Sequence, residues 1–273
     1  MEALLPVLPR TLAVLASAMA VLWLVSLRRR DASIVDPFWG TAFALAAWTA
    51  AVTSPGAGVR SALVLGLVTL WGLRLSVHLL RRNLGHGEDR RYAAMRAAHG
   101  ARFPWVSLFT VFLFQAALAW AISLPVQAAV ALPPSPLGAL DALGVALFAA
   151  GFAFEAVGDA QLARFKADPA SRGKVMDRGL WRYTRHPNYF GDALLWWGLG
   201  VLGWAAGAPV FLLSSALMTS FLVRVSGVAL LEKDIGERRP GYADYVRRTS
   251  AFLPWFPRAA APGPAPAANG GRP

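Results

Sequence analysis

Seven apolar stretches dominate this chain, and nearly all of its charge is collected in the segments between them. They cover 11–27, 38–53, 61–80, 105–124, 137–157, 189–206 and 209–231. A helix needs roughly 20 apolar residues to cross a hydrocarbon core of about 30 Å. The lengths therefore predict an all-α, polytopic membrane protein with about seven transmembrane helices. The first stretch has no basic leader and no small-residue cleavage site, and Arg28, Arg29 and Arg30 follow it, so it reads as a retained span and not a signal peptide. Only 15% of the residues are charged, against about a quarter in soluble domains. The net charge of +12 would suit nucleic acid on a polar protein; on so apolar a chain it does not, and no nucleic-acid partner is expected.

The basic residues set the orientation. With the N-terminus outside, the four inside segments carry 23 of the 27 lysines and arginines, as the positive-inside rule requires of a protein whose C-terminus is cytoplasmic. The inside segments are long and polar, so the chemistry is expected to open to the cytoplasm. The outside connections are short, and that at 125–136 carries no charge. Residues 1–258 read as a single seven-helix membrane domain, with a less specific N-terminal half, 1–104, and a ligand-holding half, 105–258. The tail 259–273 is rich in Pro, Ala and Gly and reads as disordered, because it has too little apolar surface to bury. Absence of cysteine removes disulfides, thiolate nucleophiles, Cys–zinc sites and iron–sulfur clusters together. No two of His78, His86, His99 and His186 stand at ligand spacing, so no metal is expected. No P-loop and no dinucleotide-binding glycine motif after a strand is present; any nucleotide must lie between helices.

Ionisable groups inside a span cost at least about 2.5 kcal/mol each at mid-bilayer and need partners or a wet cavity. Six fall there: Arg74, Asp141, Glu155, Asp159, Asp192 and Arg224. Asp141 reads as a solvated helix end and Arg224 as the partner of an acid on a neighbouring helix. Glu155 and Asp159 are one turn apart on one helical face, and Lys166 follows Asp159 by seven residues. Acid, acid and base along one stripe suit a ligand that offers hydroxyl or amide donors together with phosphates. Pro187 fits the first turn of a helix, and Arg182, Arg185 and His186 gather just before it, where free N–H groups also favour anions. Asn188 and Asp192 are one turn apart beyond it, and Tyr189 adds a flat face. This is the pattern of a phosphate- and ring-binding wall. Glu232 ends the last span, and Tyr242 and Tyr245 lie on a short amphipathic helix at the interface. In the inside segment 81–102, Tyr92 and Glu88 are candidate acid donors.

The run Arg185-His-Pro-Asn-Tyr-Phe-Gly-Asp192, with Tyr242, Tyr245 and the Phe-Leu-Pro254 ending, resembles a membrane superfamily. It comprises steroid 5α-reductases, trans-enoyl-CoA reductases, sterol reductases and isoprenylcysteine carboxyl methyltransferases. The whole chain looks most like its bacterial steroid 5α-reductase-like branch of unknown function, and 151–257 carries nearly all the specific likeness. The resemblance implies NADPH held among the C-terminal helices of a protein of the bacterial cytoplasmic membrane. It implies that Asp159, Lys166, Asn188 and Asp192 contact the cofactor and that Arg182, His186, Tyr189 and Tyr245 line the same pocket. Glu155, Arg185, Glu232 and Tyr242 complete the expected shell. The 5α-reductases pair an early tyrosine with a glutamate to polarise the substrate carbonyl. Here span three offers Arg74 and His78 where that tyrosine would stand, and Asp36 stands near the glutamate. The candidate donors are therefore Arg74, His78 and Tyr92. The expected function is NADPH-dependent reduction of a conjugated C=C bond in a steroid, isoprenoid or fatty-acyl lipid that enters from the bilayer. The alternatives are an S-adenosylmethionine-dependent methyltransferase of the isoprenylcysteine carboxyl type and a non-enzymatic lipid-binding protein.

Overall fold

The computed structural model describes residues 2–54, 58–225 and 241–258. Among them the chain is helical, with no strand; the only β-type contact there is an isolated bridge between Thr184 and Ser250. The helices are α1 Val7–Arg29, α2 Val35–Thr53, α3 Val59–Asn83, α4 Arg90–His99, α5 Phe103–Ser107, α6 Phe114–Ile122, α7 Leu124–Ala131, α8 Ala139–Ala167, α9 Pro187–Ala205, α10 Leu212–Ser220 and α11 Tyr242–Arg248. A π-helical segment, Leu108–Leu113, joins α5 to α6, and a second, Phe221–Val225, follows α10. Glu232 and the tail 259–273 lie outside the described residues.

Four helical segments are long and apolar enough to cross a membrane: Glu2–Arg29, Val59–Asn83, Arg90–Ile122 and Ala139–Ala167. The expected spans at 38–53 and 189–206 are each found as a 19-residue helix, and that at 209–231 is described as a shorter apolar helix, Pro209–Arg224. α2 shows why composition understates such helices. It is built from Ala, Gly, Thr and aromatic residues, and much of it is buried against protein, so it has little need of lipid-facing leucines.

Contacts divide the chain into two compact units, Met1–Ala149 with Leu195–Met218, and Ala150–Leu194 with Thr219–Pro273. The boundaries fall within α8, α9 and α10.

In the first unit α2 packs on α1, α3, α6 and α7. Its closest approach to α3 is at Gly40 and Gly72, where a Cβ on either glycine would collide with the backbone carbonyl of the other. Phe43 sits at the centre of an aromatic cluster, its ring centroid 4.6 Å from Trp196, 5.6 Å from Trp71 and 5.0 Å from Trp39. Residues 125–131, expected in a short outside connection, form α7 and are buried: an uncharged segment rich in alanine and valine is better satisfied inside than in water. Asp141 is not a solvated helix end. It is buried with Arg60, whose Nε and Nη2 donate to its two oxygens at 2.6 and 2.9 Å.

The helix ends follow local signals. α1 stops where Arg30 turns left-handed (φ 53°) and returns its N–H to Leu27 and Ser26, and Arg28 and Arg29 face the negative end of the helix dipole. Asp89 caps α4 by accepting the Arg91 N–H at 2.9 Å. Glu88 accepts the Ala32 N–H at 2.8 Å and both an Nε and an Nη2 bond from Arg96. The α1–α2 turn is thereby fastened to the α3–α4 loop. Arg96 holds the Glu88 carboxyl below the usual carboxylate range, and the Ala32 N–H adds to the effect.

Candidate functional site

The second unit brings together four of the residues expected in the wall, Glu155, Asp159, Asn188 and Asp192. α8 and α9 meet through glycines: a Cβ on Gly191 would lie 2.6 Å from the Gly151 carbonyl, and one on Gly158 would lie 3.2 Å from the Asn188 nitrogen. This close approach brings the polar positions of the two helices together. Asn188 Nδ2 donates to Asp159 Oδ1 at 3.2 Å. Glu155, Asp159 and Asp192 are all buried. Asn188 Oδ1 is also buried, and among the described residues it accepts no hydrogen bond. The His186 and Tyr189 rings stack 5.6 Å apart at an angle of 12°. Phe190 meets Phe154 and Phe252 edge to face at 5.3 and 6.0 Å.

Two expected wall residues hold the unit together. Arg185 Nη1 donates to the Thr249 and Val246 carbonyls at 2.7 and 3.2 Å, at the C-terminal end of α11, where unpaired carbonyls and the helix dipole both favour a cation. The buried Tyr245 hydroxyl donates to the Trp181 carbonyl, and Trp181 Nε1 donates in turn to the Gly158 carbonyl at 3.0 Å. Together with Thr184 Oγ1 donating to the Phe252 carbonyl at 2.8 Å and the Trp255 N–H donating to Tyr183 at 2.9 Å, these bonds stitch the segment before α9 to residues 245–255. Tyr242 is buried beside Tyr245, with ring centroids 5.9 Å apart. α8 continues through Lys166, which keeps it on the Asp159 face, but Lys166 is exposed where Asp159 is buried. Arg182 is exposed and lines an open cleft of about 510 Å³ with Asp177, Arg178, Arg248 and Arg258.

In the first unit, the three candidate donors differ in setting. Arg74 and His78 are half-buried one turn apart on α3. Tyr92 is buried on α4, and its hydroxyl donates to Asp36 Oδ1 at 2.7 Å; Arg91 Nη2 donates to the other oxygen of Asp36 at 2.7 Å. Tyr92 and Asp36, 56 residues apart in the chain, thus form a phenol–carboxylate pair. Among the described residues no cluster of three metal-ligating side chains occurs.

Residues 22–249 match a family described as proteins of unknown function, DUF1295. The chain belongs to the DUF1295 family. An uncharacterized protein of the fission yeast Schizosaccharomyces pombe is 29% identical to this DUF1295 chain over 263 aligned positions, which span 86% of the chain and 76% of the relative. No solved structure matches the chain. The DUF1295 match takes in α2 to α11, Tyr92 and Asp36, and the whole polar wall; Arg258 lies beyond it.

Proposed function

We propose that this chain is a seven-span protein of the bacterial cytoplasmic membrane, N-terminus outside, that reduces a conjugated C=C bond of a lipid at the expense of NADPH. The observation that supports the reading is the buried polar wall of the second unit. Glu155, Asp159, Asn188 and Asp192 are concentrated where two apolar helices touch, and among the described residues the Asn188 carbonyl oxygen accepts no bond. A buried carbonyl oxygen without a hydrogen bond is costly, so Asn188 points to a polar guest beside these carboxylates. The donor set fits a dinucleotide. Carboxylates accept from ribose hydroxyls, the Asn188 oxygen accepts from an amide N–H, Lys166 meets phosphate charge, and the stacked His186–Tyr189 pair offers a face for a planar ring.

When bound, the nicotinamide supplies a hydride to the electron-poor carbon of the double bond. The protein's part is to hold the guest dry and oriented and to supply a proton. Negative charge develops on the conjugated carbonyl as the hydride arrives, and a positioned donor lowers that barrier. The candidates for this donor are Arg74, His78 and Tyr92, and the Tyr92 hydroxyl is held by the Asp36 carboxylate.

The test is thermal stabilisation of the detergent-purified protein. A hundredfold excess of ligand over its dissociation constant adds about 2.7 kcal/mol to stability. NADPH should raise the melting temperature, and Asn188→Ala and Asp192→Asn should each weaken that response while leaving a folded protein. Stabilisation by S-adenosylmethionine in place of NADPH would move the chain to the methyltransferase reading. A response to neither would leave a non-enzymatic lipid-binding role.

A further inference from the structure

We propose that the arginine-lined cleft of the second unit, with the apolar segment beside it, binds the phosphate headgroup of an anionic phospholipid. Two independent observations meet here. The cleft, about 510 Å³, is lined by Arg178, Arg182, Arg248 and Arg258 against a single acid, Asp177. Arg248 is engaged with Asp244 at 2.6 Å and with Asp177 at 3.8 Å. Among the described residues, Arg178, Arg182 and Arg258 have no carboxylate within ion-pair distance. Three guanidinium groups around one opening repel one another unless an anion joins them, and a planar guanidinium is suited to phosphate by its paired donors.

The second observation is the wall that runs on from Pro257 and Arg258. Leu253, Trp255 and Phe256 are 65, 73 and 77% exposed. The chain here is not loose: the Trp255 N–H donates to the Tyr183 carbonyl and the Arg258 N–H to the Arg248 carbonyl, both at 2.9 Å. The backbone is pinned while the large side chains are held out. In a membrane protein, tryptophan and other aromatics placed this way sit at headgroup level, and adjacent basic residues attract the phosphates of anionic lipid. A free phosphate would need the arginines alone; a lipid uses both the charge and the apolar ledge.

The experiment is native mass spectrometry of the full-length protein in detergent with dioleoyl phosphatidylglycerol, dioleoyl phosphatidylcholine, inorganic phosphate or NADPH added. We expect retained phosphatidylglycerol adducts at least tenfold more abundant than phosphatidylcholine adducts. Arg178→Gln with Arg258→Gln should lower them about tenfold. Leu253→Ser with Trp255→Ser, which leaves every arginine in place, should lower them severalfold. Both variants change exposed side chains, and circular dichroism confirms that each is folded. Equal retention of the two lipids, unchanged retention in the arginine variant, or retention of inorganic phosphate without lipid would overturn the proposal. Displacement of phosphatidylglycerol by NADPH would also overturn it and give the cleft to the cofactor. Failure of NADPH to bind at all would sink the reductase reading and leave this one standing.

Discussion

Arg60→Ala should destabilise the first unit more than any exposed arginine substitution does. Arg60 and Asp141 are 5 and 4% exposed, and the guanidinium spans both carboxylate oxygens at 2.6 and 2.9 Å. Its remaining donors reach Ser135 Oγ at 2.7 Å and the Pro136 carbonyl at 3.1 Å, so one side chain ties the start of α3 to the α7–α8 connection. With the guanidinium gone, the Asp141 carboxylate keeps backbone N–H donors, chiefly that of Gly138 at 2.8 Å, but among the described residues no cation. Breaking one side of a buried pair costs about 3–5 kcal/mol, because the partner charge is left uncompensated. At roughly 2–4 °C per kcal/mol for a chain of this order of size, the melting temperature should fall by roughly 6–20 °C. Tryptophan fluorescence during heating in detergent reads this directly. The double variant Arg60→Met with Asp141→Leu removes both charges at similar volume and should recover most of the loss. If Arg60→Ala melts with the wild type, or the double variant is no better than the single, the buried pair does not fasten these segments.

The other expectations are briefer. Gly40→Ala drives a methyl into the Gly72 carbonyl and should cost about 1–3 kcal/mol, seen as a lower melting temperature. Tyr92→Phe removes the hydroxyl held by Asp36 and should cut reduction of a conjugated lipid roughly 10²–10⁴-fold while NADPH still stabilises the protein; an unchanged rate would exclude Tyr92 as donor. The Glu88 carboxyl is depressed in the folded protein by Arg96 and the Ala32 N–H. Its contribution is thus complete above the ordinary carboxylate pKa of about 4.3, and it is lost as pH falls through the depressed value. Melting temperatures followed from pH 7 to pH 3 should therefore fall less in Glu88→Gln than in the wild type.

What the sequence discloses depends on how far apart the partners are. Glu155 and Asp159, or Asn188 and Asp192, share a face because of helical spacing, and a reader can pair them without coordinates. That α8 and α9 then bring the two pairs together depends on Gly158 and Gly191, whose meaning is visible only once both helices are in place. Arg60 and Asp141 are 81 residues apart, and Tyr92 and Asp36 are 56 apart; no local pattern links them. Arg185 is a different case. Its place just before a helix N-terminus suggests an anion, yet its Nη1 reaches carbonyls 61 and 64 residues onward, in an element whose position the sequence does not reveal. The cleft arginines come from three separate segments, and only Arg182 stands in a recognisable run.

The π-helical turn at Leu108–Leu113 has a consequence for anyone who edits or aligns this region. A widened turn holds about one residue more than an α-turn of equal rise, so side chains before and after it are displaced by about 100° from where a uniform 3.6-residue repeat would put them. Deleting a single residue inside a helix ordinarily swings everything downstream onto the wrong side. At 108–113 the same deletion can be absorbed by relaxing the bulge to regular geometry, leaving Phe114–Ile122 in register. Length variation of one residue is therefore expected to be tolerated at this point of the helix, and in relatives that lack the bulge the column to gap lies here.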